Sequence, residues 1–105
     1  MIRFSAYYPR TENGFFDLDY YVNKHMKMLK ENLGNACVRT CVDECLGTLT
    51  PGDAGPYIAV GHLEINVDTV QELLGLLAPL GAMIRADVPN YTDIAAFNII
   101  SRIRE

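Results

Sequence analysis

Four short runs of apolar and β-branched residues predict four β-strands. The first run, residues 1–8, is closed by Pro9 and followed by turn-forming residues. Alternation places Ile2, Phe4, Ala6 and Tyr8 on one face of this strand. Further strands are predicted over residues 36–50, 57–67 and 92–103, although the spacing of four between cysteines in the second run would also suit a helix. A loop rich in Pro and Gly joins the second and third strands into a hairpin.

After the first strand, apolar residues recur with the period of an α-helix. Asp17 can cap the first free amide groups of this helix, and Phe16 can pack on Tyr21 as a hydrophobic staple. Gly34 is suited to end the helix. The apolar positions on one side are Leu18, Tyr21, Val22, Met28, Leu29 and Leu33. His25 lies near the middle of this apolar side, where a titratable side chain is unexpected.

The same period predicts a second helix after the third strand. Its apolar positions are Val70, Leu73, Leu74, Leu77 and Leu80. Asp68 and Gln71 match a capping box at its start, and Pro79 is expected to kink or restart it. Residues 85–90 are predicted to form a loop because they are rich in Asp, Pro and Asn.

The order strand, helix, strand, strand, helix, strand predicts an α+β fold of the ferredoxin-like βαββαβ type. In this fold both helices lie on one face of a four-stranded antiparallel sheet. The last strand is apolar on both faces, so the face without helices would expose a large apolar area. A twofold pairing of two such faces would bury it. We therefore expect a homodimer in the form of a dimeric α/β-barrel.

The net charge and the short length of the apolar stretches argue against two classes of partner, nucleic acids and membranes. The formal net charge is −4, and the nine Lys and Arg residues are scattered along the chain, which argues against nucleic-acid binding. No apolar stretch approaches the roughly 20 residues of a membrane-spanning helix. Pro9 also interrupts the N-terminal region before a signal-like apolar stretch could form. We expect a cytoplasmic protein with no membrane and no nucleic-acid partner.

The three cysteines do not suggest a disulfide framework or a metal site. Their odd number argues against full pairing. Cys37, Cys41 and Cys45 are four residues apart, and on a strand neighbours would lie about 13 Å from each other. One metal ion cannot bridge that distance. The sequence also lacks a glycine-rich phosphate loop, a nucleophile elbow and a distinctive haem motif. We expect neither a metal nor a cofactor.

His25 is the leading catalytic candidate. Imidazole gains and loses a proton near neutral pH, and here it would face the sheet from an apolar helix side. The structural alternative is a buried histidine bonded to a backbone carbonyl. Tyr21 and Tyr8 are the expected substrate-binding residues of the same cleft, together with Phe4. Gly61 joins them because its missing side chain would leave a gap near His25.

Several segments together resemble the EthD family. The Tyr8-Pro9 strand end is followed by Phe-Asp-x-x-Tyr-Tyr within residues 14–21 and by His25-Met26. Residues 62–65 are similar to the family's third strand, and residues 86–93 to its closing loop. The resemblance covers nearly the whole chain in order. One departure is that Lys27 and Met28 follow the His-Met pair where the family often has a proline.

The resemblance implies one dimeric α/β-barrel domain over residues 1–105 that binds a small, hydrophobic, oxygen-bearing compound of aromatic, polyketide or xenobiotic type. His25 would then act as acid or base in a cyclisation, dehydration, isomerisation or cofactor-free oxidation. The alternative is a non-catalytic dimer that carries such a ligand or supports a partner oxygenase in a degradation pathway. Since proteins of this fold carry out unrelated reactions, the fold alone does not choose between them.

Overall fold

Four antiparallel strands form one sheet in the order β2, β3, β1, β4 in the computed structural model, which describes all of residues 1–105. The strands are β1 (Ile2–Pro9), β2 (Cys37–Glu44), β3 (Tyr57–Ile65) and β4 (Phe97–Arg102). Two helical segments follow β1 and β3, which gives the βαββαβ order. The ferredoxin-like α+β fold expected from the sequence is confirmed.

Each helical segment is built from more than one kind of helix. The first consists of α1 (Leu18–Tyr20), a π-helical turn (Tyr21–His25) and α2 (Met26–Leu33). The second consists of α3 (Val70–Leu77), a 3₁₀ turn (Ala78–Leu80), α4 (Gly81–Asp87) and a 3₁₀ turn (Val88–Asn90). None of these helices has the length and apolar character needed to cross a membrane.

The start of the first helical segment is as predicted. The Asp17 carboxylate accepts a hydrogen bond from the Tyr20 amide at 3.1 Å, and the rings of Phe16 and Tyr21 pack with centroids 5.2 Å apart. The predicted apolar side is wrong at Val22, which is 44% exposed. The cause is the π-helical turn, whose wider winding changes the direction of the following side chains. The buried residues of the first helical segment are Tyr21, His25, Met26, Leu29 and Leu33.

The second helical segment corrects two expectations. Its cap is Thr69, which accepts from the Glu72 amide at 3.1 Å, one residue later than the predicted pair of Asp68 and Gln71. Residues 85–90 are helical and not a loop, since α4 runs to Asp87 and a 3₁₀ turn follows it. The proline in that turn stands near its start, where the missing amide proton costs little. The restart expected at Pro79 is present as the 3₁₀ turn between α3 and α4.

Three strands are shorter than predicted. β2 ends at Glu44, β3 ends at Ile65 instead of residue 67, and β4 begins at Phe97 instead of residue 92. The segment before β4 contacts the loop before α1 through an isolated antiparallel bridge between Thr92 and Phe16. The Thr92 hydroxyl also donates to the Phe15 carbonyl at 2.7 Å. The chain therefore crosses the end of the helical layer before it joins the sheet.

The strand register defines the two faces of the sheet. Phe4 pairs with Leu63 and Ile100, and the side chains of this row point toward the helices. The opposite face, called here the open face, has no helix against it. The open face includes Arg3, Ser5, Tyr7, Cys41, Val60, His62, Phe97 and Ile99. His62 therefore lies on the opposite side of the sheet from His25.

Candidate functional site

A cavity of about 490 Å³ lies between the helix-facing side of the sheet and both helical segments. Of its 20 lining residues, 16 are hydrophobic, so a ligand inside it would lose most of its contact with water. This volume lies in the usual range of small-molecule pockets. The residues of the sheet that line it are Phe4, Ala6, Tyr8, Gly61, Leu63 and Asn98.

His25 is buried in the wall of this cavity. Only 3% of its surface is exposed, and the π-helical turn directs its ring toward the sheet. Nδ1 of the imidazole lies 2.8 Å from Oδ2 of Asp87 at the end of α4. Because a carboxylate can only accept, Nδ1 carries the proton of this bond. In the neutral imidazole, Nε2 is then an acceptor and is free to take a proton.

Asp87 is held in place by two further donors. The Tyr20 hydroxyl donates to Oδ1 at 2.7 Å, and the Asn90 amide donates to the same oxygen at 3.1 Å. Burial acts to raise the pKa of Asp87, but the hydrogen bonds from Tyr20, His25 and Asn90 outweigh it and hold that pKa below its ordinary value. Asp87 is therefore a carboxylate at neutral pH and fixes both the ring orientation and the tautomer of His25.

A group of tyrosines surrounds Nε2 of His25. The Tyr91 hydroxyl lies 3.5 Å from Nε2 and 2.8 Å from the Tyr8 hydroxyl. The Tyr21 ring stacks on the imidazole one helical turn away, with centroids 5.6 Å apart and an interplanar angle of 21°. The bond from Tyr91 to Nε2 is long, so Nε2 is only weakly engaged within the protein. A ligand proton can compete for it.

Backbone contacts between distant segments position Tyr91. Its carbonyl accepts from the Asp17 amide at 2.7 Å, directly before the first helical segment. Its ring packs on Phe16 and Tyr21, with centroids 5.5 and 4.9 Å apart. The loop before α1 and the segment before β4 thus meet at the end of the cavity, where Tyr91 is completely buried.

Burial keeps the tyrosine hydroxyls neutral. It is the main cause that raises the pKa of Tyr8, of Tyr21 and of Tyr91, and for Tyr8 hydrogen bonding with the other two hydroxyls opposes it. At neutral pH all three side chains are therefore hydrogen-bond donors. The site combines one nitrogen base with neutral hydroxyl groups in apolar surroundings.

The five residues proposed from the sequence all line this one cavity: Phe4, Tyr8, Tyr21, His25 and Gly61. The space beside Gly61 is not an empty gap, however, because the Tyr21 hydroxyl lies directly over its Cα. No group of three His, Cys, Asp or Glu side chains lies close enough to hold a metal ion. The roles of the five residues stay predictions.

Three polar residues of the site were not proposed from the sequence. All three lie in segments that carry the family resemblance, but Asp87 is in a segment predicted as a loop, and a regular helical period places Tyr20 on the polar side of the first helix. The spacing of three residues between Asp87 and Asn90 could have indicated a role for Asp87, because it puts both side chains on one side of a helix end. That signal depends on assigning helix to residues 85–90.

Replacing Asp87 by asparagine should lower the free energy of unfolding at pH 7 by about 2 kcal/mol, because the site loses a charged acceptor of three hydrogen bonds. The folded-state pKa of Asp87 lies below the ordinary value of 3.8. Its contribution is therefore complete above that value and is lost as pH falls through the lowered pKa. Urea unfolding at several pH values should show the two proteins converging in acid.

Asp43 offers a matched control for this prediction. Its carboxylate lies 3.4 Å from Nε2 of His62 on the open face, but its side chain is 66% exposed. Asp43→Asn should change the free energy of unfolding by less than about 0.5 kcal/mol. An Asp87→Asn variant as stable as wild type at pH 7 would show that the carboxylate does not hold His25.

This arrangement defines a ferredoxin-like α+β protein with a buried histidine in the wall of an apolar cavity and a carboxylate bonded to it from behind. A solved structure of an EthD-like protein from Ralstonia eutropha JMP134 is similar over 99% of this chain and 92% of that chain, with 33% identity and a TM-score of 0.90. The chain belongs to the EthD-like family. This confirms the family expected from the sequence.

Two more distant structures share the fold. An ethyl tert-butyl ether (EthD) family protein from Bacillus halodurans C-125 is 14% identical over 98% of both chains, with a TM-score of 0.70. HapK from Hahella chejuensis is 10% identical over 98% of this chain and 92% of that chain, with a TM-score of 0.55. No protein-family model matches the chain, and no curated protein matches it.

Proposed function

We propose that the protein binds a small, hydrophobic, oxygen-bearing compound of aromatic, polyketide or xenobiotic type, and that His25 transfers a proton to and from it. The orientation of the imidazole is the main support for this proposal. Nδ1 of His25 is bonded to Oδ2 of Asp87 at 2.8 Å, whereas Nε2 has only a contact of 3.5 Å with the Tyr91 hydroxyl. A base with one nitrogen fixed and the other weakly engaged is the arrangement that proton transfer requires.

The cavity favours a hydrophobic ligand with few polar atoms. Its walls offer aliphatic and aromatic side chains from both helical segments, and its polar groups converge near His25. Burial of apolar ligand surface would provide most of the binding free energy, at roughly 25 cal/mol per Å². The hydroxyl of Tyr8 would orient an oxygen atom of the ligand.

Cyclisation, dehydration and cofactor-free oxidation of such compounds share a first step, which is removal of a proton beside a carbonyl group. Nε2 of His25 would accept this proton, and the negative charge would move to the carbonyl oxygen. Asp87 would stabilise the imidazolium that forms, because its carboxylate is bonded to Nδ1. The Tyr8 hydroxyl, which is neutral and bonded to Tyr91, would donate to the charged oxygen.

A direct test of binding uses 2-naphthol, a flat aromatic phenol that resembles the enol of a bicyclic ketone. A ligand that binds only the folded protein raises Tm in a concentration-dependent manner. We expect this increase for wild type and its loss in Ala6→Phe, which fills the floor of the cavity. Circular dichroism would verify that Ala6→Phe is folded. No Tm change in wild type at saturating 2-naphthol would contradict the proposal.

We also propose that the functional form is a homodimer joined through the open face. Phe97 is 62% exposed and Ile99 is 48% exposed there, which is unusual for large apolar residues within a strand. Tyr7 pairs with both Phe97 and Val60, so apolar side chains continue across three strands of this face. A second copy of the chain would cover them by a twofold axis.

Phe97→Asp should convert the dimer into a monomer, because it would place an unpaired charge within the apolar interface. Light scattering should give a mass of two chains for wild type and of one chain for the variant. Leu49→Asp is the control, since Leu49 is fully exposed in the loop between β2 and β3 and should leave the mass unchanged. A wild-type mass of one chain would refute the dimer.

A further inference from the structure

Three residues in one row across the sheet form part of the cavity floor. Ala6 on β1 pairs with Gly61 on β3 and with Asn98 on β4, and all three line the cavity. Adjacent strands are about 4.8 Å apart, so the row spans roughly 10 Å from Gly61 to Asn98. The Tyr21 hydroxyl covers Gly61, so the open part of the floor runs from that hydroxyl over Ala6 to Asn98. A planar ligand can lie along this open part.

The two ends of the row carry different polar groups. At the β3 end the Tyr21 hydroxyl lies over Gly61, in the same group of tyrosines that surrounds His25. At the β4 end is the carboxamide of Asn98, which makes no hydrogen bond with another residue of the chain. The residues two positions away are apolar: Ile100 on the same face of β4, and Ala96 just before the strand, which also lines the cavity. A polar group therefore stands at each end of an apolar floor.

Asn98 also lies where the cavity opens. It is exposed although its side chain is on the helix-facing side, because β4 is an edge strand of the sheet. An amide can both donate and accept, so it can bind a hydroxyl or a carbonyl oxygen. A ligand that enters past β4 with its reactive end toward His25 would leave its other end beside this amide.

We propose that Asn98 is a specificity-determining residue that binds a second oxygen of the ligand. This inference rests on the proposed function and narrows its substrate class to flat, fused-ring aromatic compounds with oxygens at opposite ends. The oxygen near His25 belongs to the group that loses or gains the proton. The oxygen near Asn98 is a hydroxyl or carbonyl that takes no part in the reaction and selects the substrate.

The test compares two probes that differ in one oxygen atom, 2-naphthol and naphthalene-2,6-diol. Fluorescence titration should give a dissociation constant for the diol that is roughly tenfold smaller in wild type, the value of one additional hydrogen bond. In Asn98→Leu this preference should disappear. Asn66→Leu, an exposed asparagine outside the cavity, should keep the preference.

The outcomes separate this inference from the proposed function. Equal affinity of wild type for both probes, or a preference that survives in Asn98→Leu, would overturn the role of Asn98 and leave the binding of 2-naphthol intact. Failure of wild type to bind either probe would overturn the proposed function and this inference together.

Discussion

Gly61→Ala should lower the free energy of unfolding by about 2 to 3 kcal/mol, the cost of forcing an atom into a packed core. A Cβ at this position would overlap the Tyr21 hydroxyl and lie 2.8 Å from its ring carbon Cζ. Tyr21 cannot move aside easily, because it is 2% exposed and packs against the rings of Tyr8, Phe16 and Tyr91. Thermal unfolding should show a Tm lower by roughly 10 °C or more.

Gly75 is the matched control for this substitution. It lies in α3, and nothing approaches the position of an added Cβ within 4 Å. Gly75→Ala should raise the free energy of unfolding by about 0.5 to 1 kcal/mol, because alanine favours the helix. A Gly61→Ala variant with wild-type Tm would mean that Tyr21 does not occupy the space above the sheet.

His25→Gln should reduce proton transfer catalysed by the protein by roughly 10²- to 10⁴-fold, the usual contribution of a general base. Glutamine keeps a polar group near Asp87 but cannot take a proton at neutral pH. The reaction to measure is deuterium exchange in D₂O at the carbon between the ring and the carbonyl of 2-tetralone, observed by NMR. The C–H bond breaks, Nε2 holds the proton, and a deuteron returns to the same carbon.

His62→Gln is the control for general effects of losing a histidine. His62 is bonded to Ser5 at 2.7 Å on the open face, away from the cavity, so its loss should leave the exchange rate unchanged in a variant that light scattering shows to have the wild-type mass. Exchange that is as fast in His25→Gln as in wild type would remove His25 from the chemistry. Binding of 2-naphthol by a wild type that exchanges no deuterium would favour the non-catalytic, ligand-carrying alternative.

The sequence was sufficient for the fold because its local signals agree with one another. Apolar and polar residues alternate in β1 from Ile2 to Ala6, Asp17 caps the first helical segment, and Gly34 ends it with a positive φ of 60° that glycine adopts readily. These signals depend on neighbouring residues alone. Burial of His25 could also be predicted, since its position relative to Tyr21 and Leu29 places it on the apolar side.

The rest of the site depends on tertiary contacts between residues far apart in the chain. Asp87 is 62 positions from His25, and its role requires that residues 85–90 be helical despite their turn-forming composition. Tyr20 was assigned to the polar side because a regular α-helix was assumed, whereas its hydroxyl bonds to Asp87. Neither the π-helical turn nor the packing of α4 against α1 leaves a signal in a short window of sequence.

¹⁵N NMR of the two histidine side chains would show whether Nε2 of His25 faces the bound ligand while Asp87 holds Nδ1. Nδ1 of His25 should carry the proton of the bond to Asp87, and 2-naphthol should shift the Nε2 signal of His25 without moving the signals of His62. Two results would contradict this arrangement of His25: a ring whose only proton is on Nε2, or a His25 signal that 2-naphthol leaves unchanged at saturation.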